Sequence, residues 1–281
     1  MITDLVFLLH GIVPAMEHPE ILLIDKPAGM TSFDVVYQVR RKLNPKLKKD
    51  EIRSGTETWT RLRVGHAGTL DPLATGLMII GIGKGTKKLT ELVKLDKEYI
   101  AEVRIGERRT TGDMEGEVIE EKTATSISSK EIDVAVASLV GTLQLPVSAY
   151  SAIKKNGTPM YKRAREAEKK GEVVTDVPIR DMTVYEAEVL DIKNIAVNRD
   201  IGEVVELKEG AEVKSTTIYR NKESKRVVVT VRFFVASGVY IRSLGEELGK
   251  RLGYPATLQN LRRTKVGKFS IEDAQSLEDF N

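Results

Sequence analysis

Apolar and polar positions along the chain alternate between two rhythms, period two and period three to four, and the switches between them outline the elements. Ile21 to Ile24 is a short apolar run that predicts a strand, stopped by Lys26-Pro27 with Gly29 in the turn beyond. Thr31 and Asp34 then have capping-box spacing, and Val35, Val36, Val39 and Leu43 recur at helical intervals until Asn44-Pro45 ends the helix. Tyr99, Ala101, Val103 and Ile105 share one face of a strand whose other face carries Glu102 and Arg104, and Thr110 to Gly116 reads as its turn. Ser128 and Glu131 predict a second capped helix with a stripe of Ile132, Val136, Leu139 and Val140, ended by Gly141. Thr158-Pro159 opens a basic helix that Gly171 closes. Val227, Val229, Val231, Phe233 and Val235 make the strongest strand signal, turned by Ser237-Gly238. Ile241, Leu244, Leu248 and Leu252 form the buried stripe of a helix ending at Gly253. The pattern predicts a mixed sheet with helices packed on it.

Composition narrows the chemistry. With 281 residues, 41% hydrophobic and 30% charged, the chain can bury a full core, and no apolar run reaches the roughly 20 residues of a membrane span. Asp4 stands where a secretory leader would be basic, so the expected location is cytoplasmic, with no membrane partner. The absence of cysteine removes disulfides and thiolate chemistry, and His10, His18 and His66 are too scattered to make a metal centre alone. The net charge of +3 permits a nucleic-acid partner without requiring one. Basic clusters at Arg40 to Lys49, Lys84 to Lys97, Lys154 to Lys170 and Arg262 to Lys268 suit either a phosphate-tracking surface or solvated faces. Gly81 to Thr86 lacks the spacing of a phosphate loop, because Lys84 is followed by Gly85. Ser151-Ala-Ile-Lys154 matches the S-x-x-K of serine acylases without their partner elements.

One segment stands apart, Gly65-His-Ala-Gly-Thr-Leu-Asp-Pro-Leu-Ala-Thr-Gly76, with three glycines and a proline in a tight run. An acid held there and followed by proline suits presentation of a carboxylate to a substrate, and equally suits a turn-capping Asx residue. Composition does not decide between them.

The ordered motifs do. Leu22-Leu-Ile-Asp-Lys-Pro-Ala-Gly-Met-Thr-Ser32, the His66 to Gly76 loop, Asp96-Lys-Glu-Tyr99, Thr110-Thr-Gly-Asp-Met-Glu-Gly116, Ser148-Ala-Tyr-Ser-Ala-Ile-Lys-Lys-Asn-Gly157, Ser237-Gly-Val-Tyr-Ile-Arg-Ser243 and Leu261-Arg-Arg-Thr264 follow one another. Together, from about Ile21 to Leu277, they resemble the TruB family of pseudouridine synthases. The resemblance implies an α+β pseudouridine synthase fold with a mixed, mainly antiparallel central sheet flanked by helices. It implies isomerisation of the T-loop uridine of tRNA, conventionally numbered 55, by base flipping, without cofactor or metal and as a monomer. Under it Asp71 is the essential aspartate, Arg242 its ion-pair partner and Tyr99 the active-site tyrosine. His66, Tyr240, Leu261 and Lys26 are placed as substrate-binding residues: His66 entering the RNA loop, Tyr240 beside the target base, Leu261 lining the uracil pocket, Lys26 structural or phosphate-facing. An arginine beside Asp71 is expected to hold its carboxyl below the ordinary value.

The chain departs from the family pattern in places. It is expected to divide into an N-terminal extension, 1–20, and a catalytic domain, 21–281, carrying insertions at about 46–63 and 194–225. A complete C-terminal RNA-binding domain of PUA type is expected to be absent, and the insertions are candidates for the RNA contacts such a domain makes. Two alternatives remain at this level: a synthase acting on ribosomal RNA, and a non-catalytic RNA-binding or tRNA-folding factor on the same scaffold.

Overall fold

A computed structural model of the chain describes the backbone of residues 19–43, 63–124, 127–170, 172, 174, 176–209 and 212–280, and the side chains of these residues except 198–209 and 212–224. The strands are β1 (Ile21–Lys26), β2 (Val64–His66), β3 (Thr75–Ile82), β4 (Lys97–Ile105), β5 (Glu107–Arg109), β6 (Val118–Glu121), β7 (Gly141–Pro146), β8 (Lys154–Lys155), β9 (Thr158–Pro159), β10 (Ile179–Glu209), β11 (Glu212–Val235), β12 (Ala256–Val266), β13 (Phe269–Ser270) and β14 (Gln275–Ser276). The helices are α1 (Ser32–Leu43), α2 (Leu89–Leu92), α3 (Ser129–Ala137), α4 (Met160–Glu168) and α5 (Ile241–Leu252). None of the described helices is long and apolar enough to cross a membrane.

A ten-stranded sheet runs β14-β1-β3-β12-β4-β11-β10-β7, with β2 on β3 and β13 on β12. Only β1 with β14 and β3 with β12 pair parallel, so the sheet is mixed and mainly antiparallel, as expected. Its centre follows from period-two burial. Tyr99, Ala101, Val103 and Ile105 of β4 lie opposite Phe233, Val231, Val229 and Val227 of β11, and all eight are buried. Their face takes α1, α3 and α5 into one large apolar cluster, while Ala67, Leu77, Ile79 and Val266 build a smaller one with Leu89, Leu92 and Leu95.

The helix ends follow their caps. Thr31 Oγ1 accepts from the Asp34 N–H while Asp34 Oδ2 accepts from the Thr31 N–H, and Ser128 with Glu131 makes the same reciprocal box on α3. Gly253, at φ 77°, closes α5 in the left-handed conformation. Two boundaries differ from the pattern. The helix α3 stops at Ala137, so Leu139 is buried beyond it and Val140 is 46% exposed rather than part of a helical stripe. The Thr110 to Gly116 turn belongs to the separate β5-β6 hairpin, because Glu107 to Arg109 intervenes as a strand. The insertion expected at 46–63 and the helix stops at Asn44-Pro45 and Gly171 lie outside the described residues, apart from Arg63. The segment expected as a second insertion, 194–225, lies in a ribbon: the β10-β11 ladder continues from Asn194 opposite Val227 to Glu209 opposite Glu212, past the last residue that β4 pairs.

Gly76 shows why β3 can start where it does. It sits at φ 105°, and a Cβ there would lie 2.3 Å from the Arg263 carbonyl oxygen on the neighbouring β12. Replacement by alanine adds left-handed strain to a clash with rigid backbone. We expect Gly76→Ala to lower unfolding stability by about 3 kcal/mol or more, read from the urea midpoint.

Candidate active site

Asp71 sits on a β-turn built by its own sequence. The Ala74 N–H donates to the Asp71 carbonyl at 3.1 Å, with Pro72 at the position where its fixed φ suits such a turn. The turn is bound to the sheet from several sides. Lys26, at the end of β1 and with no exposed surface, donates through Nζ to the carbonyls of Pro27 (2.8 Å), Pro72 (3.2 Å) and Ala74 (2.6 Å). The Gly29 N–H donates to the Pro72 carbonyl at 2.8 Å. Ser32, at the start of α1, both accepts from the Leu70 N–H (2.8 Å) and donates to the Leu70 carbonyl (2.9 Å). From β12, Arg263 donates to the carbonyls of Leu77 (2.7 Å) and Gly68 (3.2 Å).

Facing the turn, the first turn of α5 delivers Arg242. Its Nε lies 3.1 Å from Asp71 Oδ2 and its Nη1 3.4 Å from Asp113 Oδ2. The same Nη1 donates to the Thr111 carbonyl at 3.0 Å, and Nη2 to the Tyr150 carbonyl at 3.2 Å. The guanidinium is thus gripped by both carboxylates, by backbone of the turn that carries Asp113, and by backbone of one further segment at Tyr150. Burial is unequal: the Arg242 and Asp113 side chains are 6% and 2% exposed, Asp71 33%. Among the described residues Asp71 Oδ1 has no hydrogen-bond donor, so one carboxylate oxygen is held by Arg242 and the other is not.

The remaining sequence-predicted residues gather around this pair to different degrees. Tyr99 is buried on β4, and Leu261 of β12 pairs with Ala101, which puts Leu261 diagonally beside Tyr99 on one sheet face. Both join Leu70 in the main apolar cluster, and half-buried Tyr240 packs against it. Tyr240 immediately precedes α5 and feels both Asp71 and Arg242 electrostatically. His66 ends β2, and among the described residues no bond ties it to Asp71, Tyr99 or Arg242. Lys26 turns its amine to three carbonyls and exposes no surface. Sequence reasoning missed Asp113, Ser32 and Arg263 as contributors. All three lie inside motifs quoted above, and Thr111-x-Asp113, whose threonine hydroxyl donates to Asp113 Oδ1 at 2.6 Å, is a pattern that turns commonly use.

Electrostatics correct one expectation. Burial pushes the Asp71 carboxyl above its ordinary value; Arg242 opposes this, Asp113 adds to it and Lys26 opposes it, and the net direction is upward. Burial, then the charges of Asp113 and Asp71, raise Glu115 as well. Desolvation lowers Lys26 to about 8 against the pull of Asp71. Burial and the charge of Arg263 lower His66, favouring a neutral imidazole. A raised carboxyl adds stability below its unfolded pKa and loses it as pH rises through the folded one, so at neutral pH ionised Asp71 is a net cost. Arg242→Ala strands two carboxylates and is expected to cost about 3 kcal/mol. Asp71→Asn leaves Arg242 paired with Asp113, so its midpoint should be unchanged or higher. Thermal unfolding of the two variants at neutral pH checks the contrast.

Comparison with known proteins places the chain in a family. The family model described as TruB family pseudouridylate synthase (N terminal domain) matches residues 56–213. The tRNA pseudouridine synthase B of Corynebacterium efficiens is 37% identical over 94% of this chain and 72% of its own length. That of Paenarthrobacter aurescens is 38% identical over 92% and 68%. A solved Cbf5-Nop10-Gar1 complex superposes with a TM-score of 0.56 at 23% identity, covering 92% of this chain and about half of that one. This last likeness is one of fold. Matched by the family model from residue 56 to residue 213 and by these relatives over nine-tenths of its length, the chain belongs to the TruB family of pseudouridylate synthases.

Proposed function

We propose that this chain isomerises uridine to pseudouridine in tRNA, at the T-loop uridine, with Asp71 as the covalent catalyst. The observation that carries the reading is the Arg242 to Asp71 pair at 3.1 Å on a turn bound from β1, α1 and β12. Relatives named tRNA pseudouridine synthase B supply the substrate class.

The reaction breaks the bond from the sugar to N1 of uracil and makes one from the sugar to C5. The proton displaced from C5 is balanced by one gained at N1, so composition does not change. A carboxylate serves because it can add to an electrophilic carbon and leave again, dividing one hard step into two. Arg242 holds Oδ2 and leaves Oδ1 to approach the substrate. Tyr99 and Leu261 give the extruded base an apolar wall, and the Tyr99 phenol suits both stacking and proton transfer during re-attachment. Extrusion is needed because a base inside a folded loop is out of reach, and a neutral His66 suits entry into the space it leaves. Arg242 acts on the reaction through Asp71, fixing the orientation of its carboxylate.

Incubation with unmodified tRNA transcript, followed by mapping of pseudouridine, tests the assignment. The wild-type chain should modify the T-loop uridine, and Asp71→Asn should lose about 10⁴-fold or more in single-turnover rate. Product from the mutant at near wild-type rate would sink the catalytic role.

The pH profile follows from the two shifted groups. Asp71 must be ionised, so the acid limb lies above the ordinary carboxylate value of about 4. Above about pH 8 Lys26 becomes neutral and can donate two hydrogen bonds instead of three, which loosens the turn and lowers the rate. Single-turnover rates across the range should trace a bell, and a rate that stays level down to about pH 4 would contradict the burial effect on Asp71.

A further inference from the structure

Glu107 opens β5 with its side chain fully buried, and a buried carboxylate is tolerated only where cations meet it. Arg109, two residues on, donates through Nε to Glu107 Oε1 at 2.6 Å. Arg104 of β4 and Arg226 of β11 each place a nitrogen 3.8 Å from Oε2 of the same acid. Arg226, itself 1% exposed, also reaches Glu121 of β6 at 2.7 Å. Both strands of the β5-β6 hairpin are thereby fastened to the central sheet.

The Arg109 guanidinium does more than neutralise Glu107. Its Nη1 donates to the carbonyls of Met114 (3.2 Å) and Gly116 (2.9 Å), on the far side of the turn that joins β5 to β6. Between these anchors and β5 lie Thr111 and Asp113, which give Arg242 Nη1 its carbonyl at 3.0 Å and its carboxylate at 3.4 Å. A turn of this length has many backbone conformations, and holding one of them costs conformational entropy. A planar fork seated on a buried acid spans the turn and selects one. Direct contacts therefore run from Glu107 to Arg109, through the turn to Asp113, then to Arg242 and Asp71.

We propose that Arg109, seated on Glu107, is a positioning residue for the reaction: it fixes the turn so that Asp113 and the Thr111 carbonyl orient Arg242, which orients Asp71. The proposal rests on the pseudouridine synthase reading above. Arg109 acts through Asp113 and not on the substrate, so its loss should slow the reaction without weakening the hold on RNA.

The test measures single-turnover rate, RNA affinity and melting midpoint on unmodified T-arm stem-loop RNA, with the full wild-type chain, Arg109→Met, Asp113→Ala and the double variant. Arg109→Met should lose about tenfold or more in rate, the scale of a misplaced reacting group, with RNA affinity within about twofold of wild type. In the Asp113→Ala background the same change should cost less than about twofold, because the contact it works through is already gone. Arg109→Lys keeps a cation beside Glu107 but gives up the fork, so it should melt nearer wild type and still lose several-fold in rate. It serves where Arg109→Met does not fold. A normal rate in the folded variant, beside an active wild type, overturns the assignment even if the midpoint falls, since that marks a purely structural arginine. An equal loss with and without Asp113 also overturns it. A wild-type chain that forms no pseudouridine removes the functional reading, and the proposal with it.

Discussion

A guanidinium with 6% of its surface exposed is tolerable only where acceptors converge on it, and at Arg242 four do: the carboxylates of Asp71 and Asp113 and the carbonyls of Thr111 and Tyr150. These come from the Gly65 to Gly76 loop, the β5-β6 turn and the segment before β8, with α5 supplying the arginine. One buried cation thereby fixes four stretches of chain that share little else. Planar, always charged and forked, arginine can answer several acceptors at once, which a lysine cannot. The arrangement also divides labour between the two acids. Asp113 is buried, bonded by the Thr111 hydroxyl and the Glu115 N–H, and spent on holding the arginine. Asp71 gives the arginine one oxygen and keeps the other.

The same site runs against stability. An aspartate raised by burial and by a second acid prefers to be neutral, whereas the proposed chemistry requires it charged. The fold sustains this by over-determining the turn, through Lys26, Gly29, Ser32 and Arg263, rather than by making the carboxylate comfortable. Two of these anchors are themselves buried cations, so the region holds its charges by hydrogen bonding them to carbonyls.

How far this was legible in the sequence depends on the range of the interaction. Caps, period-two burial on β4 and β11, and the stripe of α5 are local patterns and were readable residue by residue. The overreach at Val140 came from extending a helical period through residues whose backbone had already turned toward β7. The ribbon was readable only as a polar insertion, because its sequence carries no sustained period-two alternation to mark two paired strands. At the site, the Gly65 to Gly76 loop announced a tight turn around an acid, and family motifs named its partner. The carbonyl ligands of Lys26, the reciprocal bonds of Ser32 and the direction of the Asp71 shift were not legible. Each depends on atoms brought together from distant positions, and desolvation is a property of the assembled site rather than of any motif.

The ribbon has one more implication. Its register shifts lie between Val184 and Glu186 and between Val189 and Asp191, within the sheet, and the ladder from Asn194 to Glu209 is uninterrupted. Since strands repeat every two residues, adding or removing matched residues on both sides of the hairpin changes only its reach. Arm length can therefore change without shifting the register of the central sheet, much as a handle can be recut without regrinding the blade.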